Sequence, residues 1–429
     1  MAEDTFLADD LLRQLMNVGE VDLLVGVSSR DAADTITHAL GAIEQSFQQY
    51  FVRQRVVIVV VGSGDKDKRD GILEAASSAP STRNPRQPGI TSLRTIHRVT
   101  ADFSSPPPPG VALRTVLAAA DLLRARACAV LPPAANLSPS AVANLLKPAY
   151  HENFDFVAPL YKRHKFQGLL ARNLLYPMSR AVFGCSIREL YSDEWGFSGR
   201  LASLCLNQDV WQEEAIRARP EAWMAISAIA SDLRCCQTYL GEKSQPPTVA
   251  GSDIVEVLRQ TVGNLFWCLE GNQSLWLDSQ RSQEVPTFGP AHELTSETTE
   301  LDPHRMFEMF RSGVTELEPI LTVVLDPDTL VEIKNIVALP EGQFRFRPDL
   351  WVRTVYDFAS SYHHAVINRA HLVQAFAPFY RGMTNSFLIE HSDSSPAEME
   401  AASEMLCAEF ELQKPYLRER WKANVEVKS

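Results

Sequence analysis

Two apolar runs, Val21 to Val27 and Val56 to Val61, constrain this chain more than any other feature, because each leads through a short polar loop toward a helical pattern. The first is followed by Ser28-Ser29-Arg30-Asp31 and then by Ile36, Ala39, Leu40, Ile43 and Phe47, which fall on one face of a helix. The second, rich in β-branched residues, ends at Gly62-Ser63-Gly64-Asp65, and Ile72, Leu73 and Ala76 open the next helical stretch. Strands buried on both faces of a parallel sheet read as apolar runs of this kind. The segment from Ser77 to Gly89, rich in Ser, Pro and Arg, reads as an exposed loop before a short strand around Ile96 to Val99. After a rigid turn at Pro106 to Pro109, the spacing predicts a helix over Val111 to Arg124, a strand at Ala127 to Leu131, and a helix over Ser138 to Leu146 opened by Ser-Pro. Alternating strands and helices predict an open α/β sheet with ligands at the C-terminal ends of its strands.

From Leu301 onward helical patterns dominate, as in Trp351 to Ala359 and Ala397 to Phe410, and predict a helical C-terminal domain. The polar stretch Ser279 to Thr299, with Pro286 and Pro290, is the expected junction, giving an acidic N-terminal segment at 1–20, an α/β domain at 21–285 and a helical domain at 286–429. At 429 residues and 45% hydrophobic, the chain can bury one large core or two. Its 41 Lys and Arg against 53 Asp and Glu give a net charge of −12, which disfavours a general nucleic-acid binder. Seven scattered cysteines without a Cys-x-x-Cys pair read as reduced thiols, not as a zinc site or a disulfide framework. The N-terminus is acidic, with no basic-then-apolar signal, and no stretch of eighteen apolar residues appears, so a cytoplasmic protein without a membrane span is expected.

The segments Phe154-Asp155-Phe156-Val157-Ala158-Pro159, Tyr161-Lys162-Arg163-His164-Lys165, Gly168, Tyr176-Pro177, Arg180, Gly184 and Gly196-Phe197-Ser198 resemble, in order, the glucosyl-3-phosphoglycerate synthase and mannosylglycerate synthase group. The resemblance extends over about residues 20 to 425 and takes in Trp351, Tyr356-Asp357 and Lys414-Pro415-Tyr416-Leu417. It implies a GT-A fold, an open mixed sheet with helices on both faces, followed by an α-helical domain that helps frame the acceptor and pairs two copies as a homodimer. It also implies hexose transfer from a nucleotide sugar to a small anionic, glycerate-type acceptor, with Mg²⁺ or Mn²⁺ on the sugar diphosphate.

The sequence departs from the group where that chemistry sits. Carboxylates two residues apart at a strand end face one side and hold the cation, but the matching positions are Leu131 and Pro133. A third ligand, a histidine in the group, falls near Gln245, so no metal ligand is assigned. The phosphate-contacting lysine aligns with Pro109 before Gly110, and the base-reading aspartate near Gly62. Ser28, Gly62 and Gly110 are the remaining donor-side positions, and Lys66, Lys68 and Arg69 are the nearby cations that could offset a leaving diphosphate without a metal. Glu194 and Glu221 match acidic positions beside the sugar and are the catalytic candidates, while Arg163, Lys165 and Arg188 match the acceptor side, where they can hold a carboxylate or phosphate. Each has a plainer reading: solvated or helix-capping acids for the two glutamates, and a surface basic run for Arg163-His164-Lys165. The aromatic stripe Trp351, Tyr356, Phe358 and Tyr362 is assigned to helix packing. Two functions follow: a glycosyltransferase, or a catalytically inactive GT-A relative acting as a binding, regulatory or scaffold protein.

Overall fold

The structure is a computed structural model that describes residues 7–28, 33–63, 96–132, 137–242, 254–277, 282–290 and 301–423, with the side chains at 33–35 and 63 excepted. The expectations at Lys66, Lys68, Arg69, Pro133 and Gln245, and for the helix and loop between Ile72 and Gly89, lie outside the described residues.

Two compact units are threaded through one another along the chain. The first comprises Met1–Leu160, Ser192–Gly241 and Pro286–Pro290, and the second Tyr161–Tyr191, Glu242–Val285 and Ala291–Ser429.

Among the described residues the first unit is organised by an eight-stranded sheet. Its strands are β1 (Leu23–Ser28), β2 (Val56–Ser63), β3 (Ile96–Phe103), β4 (Ala127–Leu131), β5 (Phe156–Lys162), β6 (Trp195–Ser198), β7 (Cys235–Glu242) and β8 (Thr287–Phe288), in the order β3-β2-β1-β4-β6-β5-β7-β8. β1 pairs in parallel with β2, Leu23 opposite Val56, and with β4, Leu23 opposite Ala127. β6 runs antiparallel to both β4 and β5, which makes the sheet mixed. The chain builds outward from β1 to β2 and β3 and then crosses to β4 on the other side, so a topological switch point lies between the C-terminal ends of β1 and β4.

The apolar runs are strands because the sheet is covered on both faces. On one face Leu23, Val25, Val27, Val56, Ile58 and Val60 pack with Ile36, Leu40, Ile43 and Phe47 of α2 (Ala33–Tyr50) and with Val142, Leu145 and Leu146 of the helix after β4, and on the other Leu24, Val57, Val59 and Val61 are equally buried. α1 (Asp9–Val18) is held to β3 through Gln14, whose side-chain amide donates to the Thr100 carbonyl and accepts from its N–H. α3 (Pro109–Leu122) begins at a proline whose missing N–H costs nothing at a first helical position. α4 (Pro139–His151) starts as the Ser-Pro pair requires, the Ser138 hydroxyl accepting from the Ala141 N–H. The remaining helices here are α6 (Gly199–Leu206), α7 (Glu214–Ala218) and α8 (Pro220–Ala230), with α5 (Tyr176–Phe183) preceding them in the chain and belonging to the second unit.

The second unit is helical: α5, then α9 (Ile254–Gly271), α10 (Gln273–Leu277), α11 (Pro303–Glu316), α12 (Glu318–Val324), α13 (Pro327–Val337), α14 (Pro348–His363), α15 (Arg369–Glu390), α16 (Pro396–Leu412) and α17 (Lys414–Lys422). Trp351, Tyr356 and Phe358 are fully buried on α14 and stack at tilted or edge angles on Phe346, Phe376, Phe379 and Phe410, so the stripe is packing core. All seven cysteines carry thiols, and burial pushes those of Cys205 and Cys407 up to about 12. Among the described residues no helix is long and apolar enough to cross a membrane.

Candidate functional site

The C-terminal ends of β1 and β4 are where an open α/β sheet presents its ligand. Ser28 closes β1 there, half-buried, and Gly62 lies near the end of β2 beside it. Leu131, where the resemblance asks for a metal-binding carboxylate, is the last residue of β4, pairs with Val27, and is fully buried in the core beneath α2 and α4. A hydrocarbon in that position offers no ligand and sits where an ionised carboxylate would be desolvated. Among the described residues no three His, Cys, Asp or Glu side chains cluster so as to hold a metal ion, and Leu131 does not fit the Mg²⁺ or Mn²⁺ that the resemblance implies.

Gly110 occupies the first turn of α3. A Cβ there would collide with the Ile216 carbonyl oxygen of α7, so packing against α7 by itself accounts for the glycine.

The two candidate acids lie on neighbouring elements of the first unit. Glu194 is half-buried immediately before β6, its N–H 3.5 Å from the Ser192 hydroxyl oxygen. Glu221 is 3% exposed in the first turn of α8, where the positive end of the helix favours a carboxylate. Arg219 precedes Pro220 and is held out of the helix with φ −145° and ψ 80°, as a residue before proline must be. From there its Nε lies 3.1 Å from Glu221 Oε1 and its Nη1 donates to Asp193 Oδ1 at 3.1 Å. One arginine thus ties Glu221 to the Asp193-Glu194 segment. Neither Arg219 nor Asp193 stands out in the sequence, because their partnership spans 26 residues. Two residues beyond Glu221, Trp223 stacks edge-on against Trp211, whose face carries the Arg114 guanidinium at 5.5 Å.

The acceptor-side candidates belong to the second unit and are less exposed than a surface run. Arg163 makes two parallel hydrogen bonds to Glu189, at 2.7 and 2.6 Å, with both side chains nearly buried. Lys165 is buried and donates to the Ser392 carbonyl at 2.6 Å. Arg188 lies over the Tyr176 ring at 5.1 Å and bonds Glu400 and Glu404; burial lowers its pKa, but Glu400, Tyr176 and Glu404 together outweigh it and the net direction is upward. Arg180 joins the cluster through Glu404 at 2.6 Å and Glu411 at 2.9 Å. Glu400, Glu404 and Glu411 lie four and seven residues apart on α16, which places them on one helix face.

Arg172 is the cation the sequence reading missed. It sits in a π-helical turn, Ala171–Leu175, and its Nη1 donates to the Lys165 carbonyl at 3.0 Å. Burial is the main cause that lowers its pKa to about 10, and Arg163 and Arg188 press the same way against Glu400 and Glu189. Arg163, Lys165, Arg172, Arg180 and Arg188 therefore meet Glu189, Glu398, Glu400, Glu404 and Glu411, five cations against five carboxylates. π-turns inside helices recur at functional sites, and this one supplies the signal that spacing alone did not.

A mixed sheet covered by helices, with a single antiparallel strand between β4 and β5 and a largely helical C-terminal region, is the GT-A arrangement. The fold is GT-A-like. No protein-family model matches the chain, and no curated protein matches it. Among solved structures it is similar to glucosyl-3-phosphoglycerate synthase from Mycobacterium tuberculosis. Against the complex with Mn²⁺, uridine diphosphate and phosphoglyceric acid the identity is 17% and the TM-score 0.41, covering 61% of this chain and 81% of that one. For the complex with Mn²⁺, uridine diphosphate and glucosyl-3-phosphoglycerate, identity and TM-score are again 17% and 0.41, with 68% and 92% covered. For the synthase crystallised without a named ligand they are 17% and 0.40, with 60% and 84% covered.

Proposed function

We propose that this chain is a glycosyltransferase-like protein that recognises a nucleotide-linked hexose without a divalent metal, and that it binds the sugar instead of transferring it. Leu131 carries this reading: its buried hydrocarbon fills the position of the metal-binding acid, so the charge of a leaving diphosphate has no cation at the end of β4 to stabilise it. The sugar-side acids are retained, with Glu221 buried beside Arg219 and Glu194 on the adjoining segment, and carboxylates so held accept hydrogen bonds from hexose hydroxyls. Ser28, Gly62 and Gly110 remain the backbone positions proposed for the nucleotide end. In the second unit the proposed ligand is a small anion of the glycerate type, held by the cationic groups of Arg163, Lys165, Arg172 and Arg188. Internal glutamates already engage Arg163 and Arg188, which suits a regulatory or scaffold role in which anion binding competes with Glu189 and the α16 carboxylates. The paired form is a homodimer through the helical region, supported by Met405 and Leu412, which are exposed seven residues apart on α16. The proposed compartment is the cytoplasm, where the seven thiols stay reduced.

Equilibrium dialysis with labelled UDP-glucose, in the presence of a chelator, tests the sugar site. Glu221→Gln should weaken binding roughly tenfold, the worth of one hydrogen bond to a charged acceptor. Equal retention by wild type and variant would remove Glu221 from the site.

A second reading, hexose transfer to a glycerate-type acceptor, is favoured by one observation. A buried ion pair contributes little to stability, so the Arg219–Glu221 pair makes more sense as chemistry, with Arg219 as the cation that replaces the metal. Release of nucleoside diphosphate on mixing UDP-glucose with 3-phosphoglycerate would establish it; its absence leaves the binding reading in place.

A further inference from the structure

A cleft of about 590 Å³ opens in the first unit at the N-terminal ends of β4 and β5, on the opposite side of the sheet from Ser28 and Leu131. Its walls are the last turns of α3 and α4, the loop entering β4 and the first turn of α6. Its volume falls within the range of small-molecule pockets, about 300–1,000 Å³. The titratable groups lining it are Arg124, Arg126, Arg200, Tyr150, Asp121 and Asp155.

Both acids accept hydrogen bonds within the protein, and Asp155 is also paired with a cation. Asp155, 3% exposed, accepts from the Ser198 hydroxyl at 2.7 Å, from Arg200 at 3.1 and 2.5 Å, and from the Arg234 N–H at 3.1 Å. Asp121 accepts from the Ser203 hydroxyl. The cations are not matched in the same way. Arg124 meets Glu20 at 3.1 Å with both side chains in solvent, a pair worth little. Arg126 lies over the Tyr150 ring at 4.5 Å and its Nη1 donates to the phenol oxygen at 3.3 Å, and among the described residues it reaches no carboxylate. In a chain of net charge −12, a guanidinium presented on an aromatic face without an acid is unusual. Its position is fixed from behind: the Gly199 N–H donates to the Arg126 carbonyl, and a Cβ at Gly199 would collide with the Ala125 carbonyl oxygen. The loop is therefore clamped against the N-terminus of α6, whose dipole also favours an anion.

We infer that this cleft is a second small-molecule site, one that takes a phosphoryl group, with Arg126 as its principal cation and Arg124 and the outer edge of Arg200 beside it. The inference is independent of the proposed sugar site. Three guanidinium groups line this one cleft, planar guanidinium groups suit a tetrahedral oxyanion, and the Tyr150 face backs Arg126.

The test is calorimetric titration of the full chain with inorganic phosphate at low ionic strength, comparing wild type, Arg126→Gln and Arg188→Gln. Arg188 belongs to the separate cation cluster of the second unit, so it distinguishes the two sources of phosphate binding. The expected result is saturable binding that Arg126→Gln weakens roughly tenfold and Arg188→Gln leaves within about twofold. Arg126 is exposed, so its replacement leaves the fold in place, and Arg124→Gln repeats the test independently with an expected loss of about threefold. Binding unchanged in Arg126→Gln, binding abolished by Arg188→Gln alone, or no heat up to about 20 mM phosphate overturns the inference.

Discussion

Leu131 ends β4 at the position where the resemblance implies an acid. A leucine cannot ligate a cation, which the sequence alone states; that its side chain is fully buried beneath α2 and α4 is what the structure adds. Restoring the acid should therefore not restore a metal site. Leu131→Asp is expected to cost about 3–5 kcal/mol, because it places an unpaired carboxylate in a hydrocarbon core. Urea unfolding measures this directly, and a variant of wild-type stability that gains Mn²⁺ affinity would contradict the account. Arg219 and Arg172 were illegible for a physical reason. Their importance lies in what they touch, Asp193 and Glu221 in one case and the carbonyl of Lys165 within an arginine cluster in the other, and partners brought together by folding leave no spacing to read. Glu194 and Glu221 are candidates only because flanking residues resemble a family, since a lone glutamate beside an aromatic residue has no signature of its own.

At the scale of elements, the legible features were those with strong local grammar. The β1, β2 and β4 runs, the Ser138-Pro139 start of α4 and the helices around Trp351 and Ala397 announce themselves by periodicity and caps. β6, four residues between Glu194 and α6, and β8, two residues long, have no pattern of their own and exist because the sheet supplies their partners. α17 carries a testable local conflict. Lys414 is buried at its first position, at the positive end of the helix, with Arg418 one turn on. Burial, reinforced by Arg418, lowers its pKa from 10.5 to about 8. Below pH 8 the lysine is charged in both states and the folded state bears the cost of burying it. Between pH 8 and about 10.5 the folded protein sheds the proton first, so this contribution shifts toward stability as pH rises. Lys414→Met should accordingly be at least as stable as wild type at pH 7 and should abolish this rise, as thermal unfolding across the pH range will report. A variant clearly weaker at pH 7, with the rise intact, would assign the effect to another group.

For the whole molecule, the sequence predicts an α/β part followed by a helical part, whereas the compact units interleave: the described residues 161–191, 254–277 and 282–285 group with the C-terminal helices, and 286–290, which contains β8, groups with the sheet. Composition and periodicity vary along the chain but cannot show which distant segments share a core, so threading of this kind is invisible to them. Light scattering tests the proposed pairing of two copies. Twice the 47.8 kDa chain mass is expected, with Leu412→Glu reverting to one copy, and a monomer at micromolar concentration would contradict it. The account rests most heavily on recognition of a nucleotide sugar without a metal. Calorimetric titration with UDP-glucose, GDP-mannose and their free nucleotides, once in chelator and once in Mn²⁺, examines this most directly. The account predicts binding of at least one sugar nucleotide with an affinity the same in both buffers; binding that requires Mn²⁺, or no binding to any of the four, contradicts it.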